Sequence, residues 1–118
     1  MIGEFTMGEI EKEKLENHIT KILTTPATAA IKRMLEKDHA MDCLFLLALE
    51  KGKWKKAKDY MNSHNLTLSD GTYRSRMIEI TQLGLARAEP LDPLKKRYIV
   101  TKKGKKLALS LLALLQDI

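Results

Sequence analysis

The sequence predicts a mainly α-helical chain carrying one small β-hairpin. Three observations carry that prediction. Apolar residues recur at helical spacing from about Gly8 to Leu83. The period changes after Gly84, where two short extended stretches flank a connector holding Pro90 and Pro93. Helical spacing then returns from Lys102 to Gln116.

The elements follow in order. Residues 1–7 read as a leader, unstructured or foreign to the native chain, with Met7 a candidate start. Residues 8–37 are expected to form two helices that contribute to dimerisation. The first, about Gly8 to Leu23, carries a Leu15, Ile19 and Ile22 stripe. Thr25 and Pro26 restart the chain, since proline suits a first helical position, and the second helix runs to about Lys37. Asp38 is expected to cap a third helix ending at Gly52. Its Met41, Leu44, Phe45, Leu47, Ala48 and Leu49 cover most of the circumference, and a helix apolar all round is buried. Cys43, the sole cysteine, is read there as a small core residue, and no intrachain disulfide is possible.

A short helix from Lys55 to Asn62 turns Ala57, Tyr60 and Met61 inward. Trp54, just before it, is read as a packing residue. The next helix, Asp70 to Leu83, takes Ser69 as its cap and Tyr73, Met77 and Ile80 as an apolar seam. Gly84 fits the left-handed position that closes a helix. The extended stretches are Leu85 to Glu89 and Tyr98 to Thr101, and their long connector favours a hairpin loop over a tight turn. The last helix presents Leu107, Leu111, Leu114 and Leu115, more leucine than one small core needs. A second copy of the chain is the expected cover.

Charge is unevenly spread. The net value is +6, yet residues 1–37 balance six basic against six acidic side chains, so the excess lies wholly beyond them. Lysines gather at Lys51, Lys53, Lys55, Lys56 and Lys58, and again from Lys95 to Lys106, with Arg74 and Arg76 between. Two basic runs astride a polar helix favour a polyanionic partner.

The order helix, helix, helix, strand, basic loop, strand, helix is the winged helix-turn-helix layout, here with extra N- and C-terminal dimerisation helices. Two stretches carry a closer resemblance, which spans about Asp38 to Leu115. Ser69-Asp70-Gly71-Thr72-Tyr73-Arg74-Ser75-Arg76-Met77, leading into Leu83-Gly84-Leu85, resembles the recognition-helix pattern of MarR, PadR and related regulators. Arg97-Tyr98-Ile99-Val100-Thr101-Lys102-Lys103-Gly104 resembles the segment after their wing, with Val100 where those proteins usually have Leu. The resemblance implies a DNA-binding core over residues 38–101 and a dimerisation helix over 102–118.

On that reading the chain is a homodimeric, sequence-specific transcription regulator bound to double-stranded DNA. Gly71, Thr72, Arg74, Ser75 and Arg76 would lie in the major groove, the alternative for the two arginines being surface solvation or pairing with Asp70 or Glu79. Lys95, Lys96 and Arg97 would form the wing, on the backbone or in the minor groove, the alternative for Arg97 being a structural role at the start of the returning strand. Lys53, Lys55 and Lys56 would neutralise flanking phosphates. Leu15, Ile19, Ile22, Leu107, Leu111, Leu114 and Leu115 would line the dimer interface. A small-molecule effector is compatible with the family but has no residue here to place it.

No cofactor or metal is expected: His18, His39 and His64 stand in separate segments, and no glycine-rich phosphate loop occurs. With no catalytic arrangement, an enzyme is not expected. No apolar run approaches a membrane span, and with no export signal the cytoplasm is the default compartment. The rival reading is a winged helix module that binds proteins inside a larger assembly, its lysines serving solubility alone.

Overall fold

The structure is a computed structural model that describes residues 2–118, with the side chains of Gly8 and of residues 10–118. The described residues form six helices and one hairpin: α1 (Ile2–Thr24), α2 (Pro26–Leu35), α3 (Ala40–Ala48), α4 (Trp54–Ser63), α5 (Asp70–Gln82), β1 (Ala86–Pro90), β2 (Lys96–Val100) and α6 (Lys102–Gln116). The helix expected from about Gly8 begins at Ile2, so the backbone of the expected leader belongs to α1 from that residue, while the side chains of residues 1–7 lie outside those described. The chain divides into two compact units, residues 1–33 and 34–118.

In the first unit, α1 and α2 are joined through Thr25. Its N–H donates to the Lys21 carbonyl (2.8 Å) and its own carbonyl accepts from Ala29 (2.9 Å), so the two helices follow almost without a break. Leu15, Ile19 and Ile22 are all about half exposed (57%, 46% and 46%).

In the second unit α3 is the central element, packing against α5, α6 and β2. Cys43, Leu44, Leu46 and Leu47 are buried along it, as a helix with apolar side chains on most faces requires. Burial pushes the Cys43 thiol up to about 12, with Asp42 adding to the rise and Arg76 opposing it. Two expectations for α3 need correction. His39, not Asp38, is its cap residue. Its backbone is left-handed (φ 61°), and its ring Nδ1 stands 2.8 Å from Asp42 Oδ2. The helix also stops at Ala48, leaving Leu49 51% exposed, and the chain turns through a left-handed Glu50 (φ 60°).

Gly52 has a different task from the one expected. Its carbonyl accepts from the N–H of Tyr98 (2.9 Å), and a Cβ at this position would lie 1.7 Å from the Tyr98 carbonyl oxygen. Only glycine lets β2 lie this close. Gly104 does the same for α6, where a Cβ would fall 1.9 Å from the Leu85 carbonyl oxygen.

The seam of α5 is as expected, with Tyr73, Met77 and Ile80 buried. Gly84 is left-handed (φ 75°). Strands β1 and β2 pair antiparallel, from Ala86 opposite Val100 to Pro90 opposite Lys96. Thr101, expected as the end of the strand, is instead the N-cap of α6. Its Oγ1 accepts from Gly104 N–H (3.1 Å) and donates to the Gly84 carbonyl (2.8 Å). One hydroxyl thus ties the end of α5 to the start of α6. On α6 the inward face is Gly104 and Ala108, with Leu107 and Leu111 half-buried and Leu114 and Leu115 exposed.

Candidate nucleic-acid interface

The N-terminal turn of α5 is built to stand at a surface. Ser69 Oγ accepts from the N–H of Thr72 (3.1 Å) and donates to Thr72 Oγ1 (2.9 Å). This cap satisfies one orphan amide of the helix start. Gly71, Arg74 and Ser75 are exposed there and Thr72 is half exposed, while Tyr73 behind them is buried. Nothing lies within 4 Å of where a Gly71 Cβ would be. The surface is therefore open at the position where the backbone itself could meet a ligand.

The arginines of α5 go to different places. Arg74 is 68% exposed, and its Nε lies 3.0 Å from Asp70 Oδ1, an ion pair without an aligned hydrogen bond. A pair this exposed contributes little and exchanges readily for another anion. Arg76 turns inward. Its side chain is 16% exposed and donates to Glu79 Oε2 (3.3 Å), which also holds Lys37 Nζ at 3.2 Å. Arg76 is thus part of the packing of α5, and it does not share the outer surface with Arg74.

The hairpin places its basic residues unequally as well. Leu91 to Lys95 form the loop: the N–H of Leu91 donates to the Lys95 carbonyl (2.9 Å), and Asp92 Oδ1 accepts from the N–H groups of Leu94 and Lys95 (both 2.8 Å). Lys95 and Lys96 are exposed. Arg97, expected either in the wing or as a structural residue opening the returning strand, lies on β2 directly opposite Glu89 and donates to its Oε2 at 2.7 Å. That bond holds the Glu89 carboxyl below the usual carboxylate range. Arg97 is committed to the hairpin.

Between α4, α5 and the hairpin runs a cleft of about 660 Å³. Lys53, Lys55, Arg74, Lys95 and Lys96 line it, with Trp54, Tyr73 and Tyr98 among its other walls and no carboxylate in its lining. The three rings form one cluster, Trp54 to Tyr73 at 5.1 Å and Tyr73 to Tyr98 at 6.3 Å between centroids. Tyr73 Oη is buried without a hydrogen-bond partner, and burial raises its pKa well above the ordinary tyrosine range. Lys56 is exposed on α4 but does not line the cleft. Two lysine groups far apart in sequence and one arginine thus converge on the same side of this unit. Sequence reasoning misses the aromatic cluster, because Trp54, Tyr73 and Tyr98 come from three elements with no shared period. It leaves Arg76 open between DNA contact and a pair with Asp70 or Glu79, and the structure shows the Glu79 pair. Position 76 lies three residues after Tyr73 and four before Ile80, a spacing that already puts it on the seam.

Among the described residues, no group of three or more His, Cys, Asp and Glu side chains gathers as a metal site would require. No helix among them is long and apolar enough to cross a membrane.

No family model matches the sequence, and no curated protein matches it. Among solved structures, the chain is similar to a mutant of MepR from a multidrug-resistant S. aureus clinical isolate. The identity is 13% and the TM-score 0.50, over 90% of this chain and 76% of that one. MepR is a winged-helix regulator of the MarR family. At this identity the likeness speaks to fold, and the six helices and one antiparallel hairpin of the described residues agree with it. The chain has the MarR-like winged helix-turn-helix fold.

Proposed function

We propose that this chain is a transcription regulator that binds double-stranded DNA as a homodimer, with α5 in the major groove and the β1–β2 hairpin as a wing. The observation that carries this reading is the convergence of Lys53, Lys55, Arg74, Lys95 and Lys96 around the exposed start of α5, with no carboxylate lining the cleft between them. An acidic protein surface would accept the same charges. A duplex also uses the open backbone at Gly71 and the projecting, weakly paired Arg74. Thr72 keeps its hydroxyl proton free to donate, because its oxygen already accepts from Ser69. Groups of this kind satisfy phosphates and base edges at a helix start.

In this reading Gly71, Thr72, Arg74 and Ser75 face the major groove. Lys53, Lys55 and Lys56 neutralise flanking phosphates, and Lys95 and Lys96 act from the wing. Arg76 supports the surface from within, and Arg97 braces the hairpin through its exposed pair with Glu89. Dimerisation uses the apolar side chains left uncovered in each unit: Leu15, Ile19 and Ile22 in the first, and Leu114 and Leu115 with the half-buried Leu107 and Leu111 in the second. Two copies double the phosphate contacts over successive grooves.

Selection of bound sequences from random duplex DNA tests this directly. The expected result is an enriched motif with two half-sites about 10 base pairs apart or a multiple of that. The Arg74→Ala variant should recover it poorly. Recovery of no motif, with Arg74→Ala and the unaltered chain behaving alike, would favour a protein-binding module.

A further inference from the structure

We propose that Leu94, at the tip of the hairpin, is an apolar wedge that enters the minor groove of bound DNA and opens a base step. The inference rests on the DNA-binding reading above and adds a deformation of the duplex that nothing in that reading requires.

Leu94 is 94% exposed, the most exposed leucine among the described residues. A leucine on a loose loop would need no explanation, since scattered apolar side chains are normal at surfaces. This loop is not loose. Asp92 Oδ1 accepts from both Leu94 and Lys95 N–H groups at 2.8 Å, and Leu91 N–H closes the turn on the Lys95 carbonyl at 2.9 Å. The turn is built to hold residue 94 outward. It also directs the one carboxylate of the tip toward backbone amides, leaving Lys95 and Lys96 as the charges beside Leu94.

An apolar tip followed directly by two cations, Lys95 and Lys96, is suited to a partner with an anionic rim and an apolar interior. The minor groove of a duplex has both, phosphates along its edges and stacked bases within. Side chains such as leucine inserted there part a base step and bend the helix by about 20–90°. The cost is least at flexible pyrimidine–purine steps. Leu94 and Arg74 line the same cleft, so a wing entering the minor groove is compatible with α5 in the neighbouring major groove.

The test uses a duplex recovered by selection, carrying a fluorophore pair at its ends and 2-aminopurine at each step of the predicted wing footprint in turn. The unaltered chain is expected to shorten the end-to-end distance and to raise 2-aminopurine fluorescence at one step per half-site. Leu94→Ala, a change at an exposed position that leaves the fold intact by circular dichroism, should bind about tenfold more weakly and lose both signals. Lys95→Ala should weaken binding and keep the unstacking. If the unaltered chain binds without bending or unstacking, or if Leu94→Ala retains both, the wedge is refuted while DNA binding stands. If no duplex is bound at all, both readings fall together.

Discussion

Replacing Gly52 by alanine puts a methyl carbon 1.7 Å from the carbonyl oxygen of Tyr98 and 2.7 Å from its carbonyl carbon. Ordinary contacts of a Cβ begin at 3.4 Å, so β2 must retreat by at least about 1.7 Å. No side chain can rotate to make room, because both opposing atoms are backbone. The same retreat breaks the Tyr98 N–H bond to the Gly52 carbonyl. A bond lost with its partners left unsatisfied costs about 1–3 kcal/mol, and overpacking of this kind about 1–3 kcal/mol more. The expected destabilisation is therefore about 2–6 kcal/mol, a large share of the roughly 5–15 kcal/mol typical of a domain. Urea unfolding followed through Trp54, the only tryptophan, reads it directly. With a slope of about 1–3 kcal/mol per molar urea, the midpoint should fall by about 1 M or more. Gly71→Ala is the control: nothing lies within 4 Å of the added carbon, so stability should hold or rise by up to about 1 kcal/mol, while the methyl group obstructs DNA and lowers affinity. An unchanged midpoint for Gly52→Ala would refute the close approach of β2 on which the position of the wing depends.

Two further outcomes follow from the placement of individual groups. Arg74→Ala should lower DNA affinity by roughly 1–3 kcal/mol per half-site in fluorescence anisotropy and leave the urea midpoint unchanged. Arg76→Ala should do the reverse, lowering the midpoint because Glu79 loses a part-buried partner; equal effects of the two on binding would contradict the assignment. The second outcome concerns alkaline pH. The Cys43 thiol is raised from 9.0 to about 12 in the folded chain, so above about pH 9 the unfolded chain releases a proton that the folded one retains. Stability is then full below about pH 9 and declines as pH rises toward about 12, with Tyr73 acting in the same sense. Unfolding free energy measured against pH should show that decline, and Cys43→Ala should flatten it; a slope untouched by the substitution would count against burial as its cause.

Much of the fold is legible in the chain because local chemistry and tertiary packing agree. Tyr73, Met77 and Ile80 fall on one helical face behind a serine cap, and the structure buries all three. The hairpin is legible because Pro90, Asp92 and Pro93 interrupt the pattern between two extended stretches, with Pro90 closing β1 opposite Lys96. The misplacements have physical causes. Asp38 is an ordinary cap residue, but the left-handed turn at His39, braced by Asp42, carries α3 instead. Gly52 reads as a helix stop because a glycine after an apolar run usually is one. Its contact with Tyr98 joins positions far apart in the chain, and no local pattern encodes that pairing. The basic residues show the same limit. Composition marks Arg74, Arg76, Lys96 and Arg97 alike, whereas Glu79 holds Arg76 inward at 16% exposure and Glu89 engages Arg97, which stays 45% exposed.

The central claim is that the start of α5 and the hairpin together grip the phosphates of a duplex. The most direct test is the salt dependence of binding to a selected duplex, measured by anisotropy. Neutralising about 6 to 10 phosphates predicts a fall in affinity of about 10³- to 10⁵-fold between about 50 and 200 mM salt. Affinity that stays level across that range would contradict it.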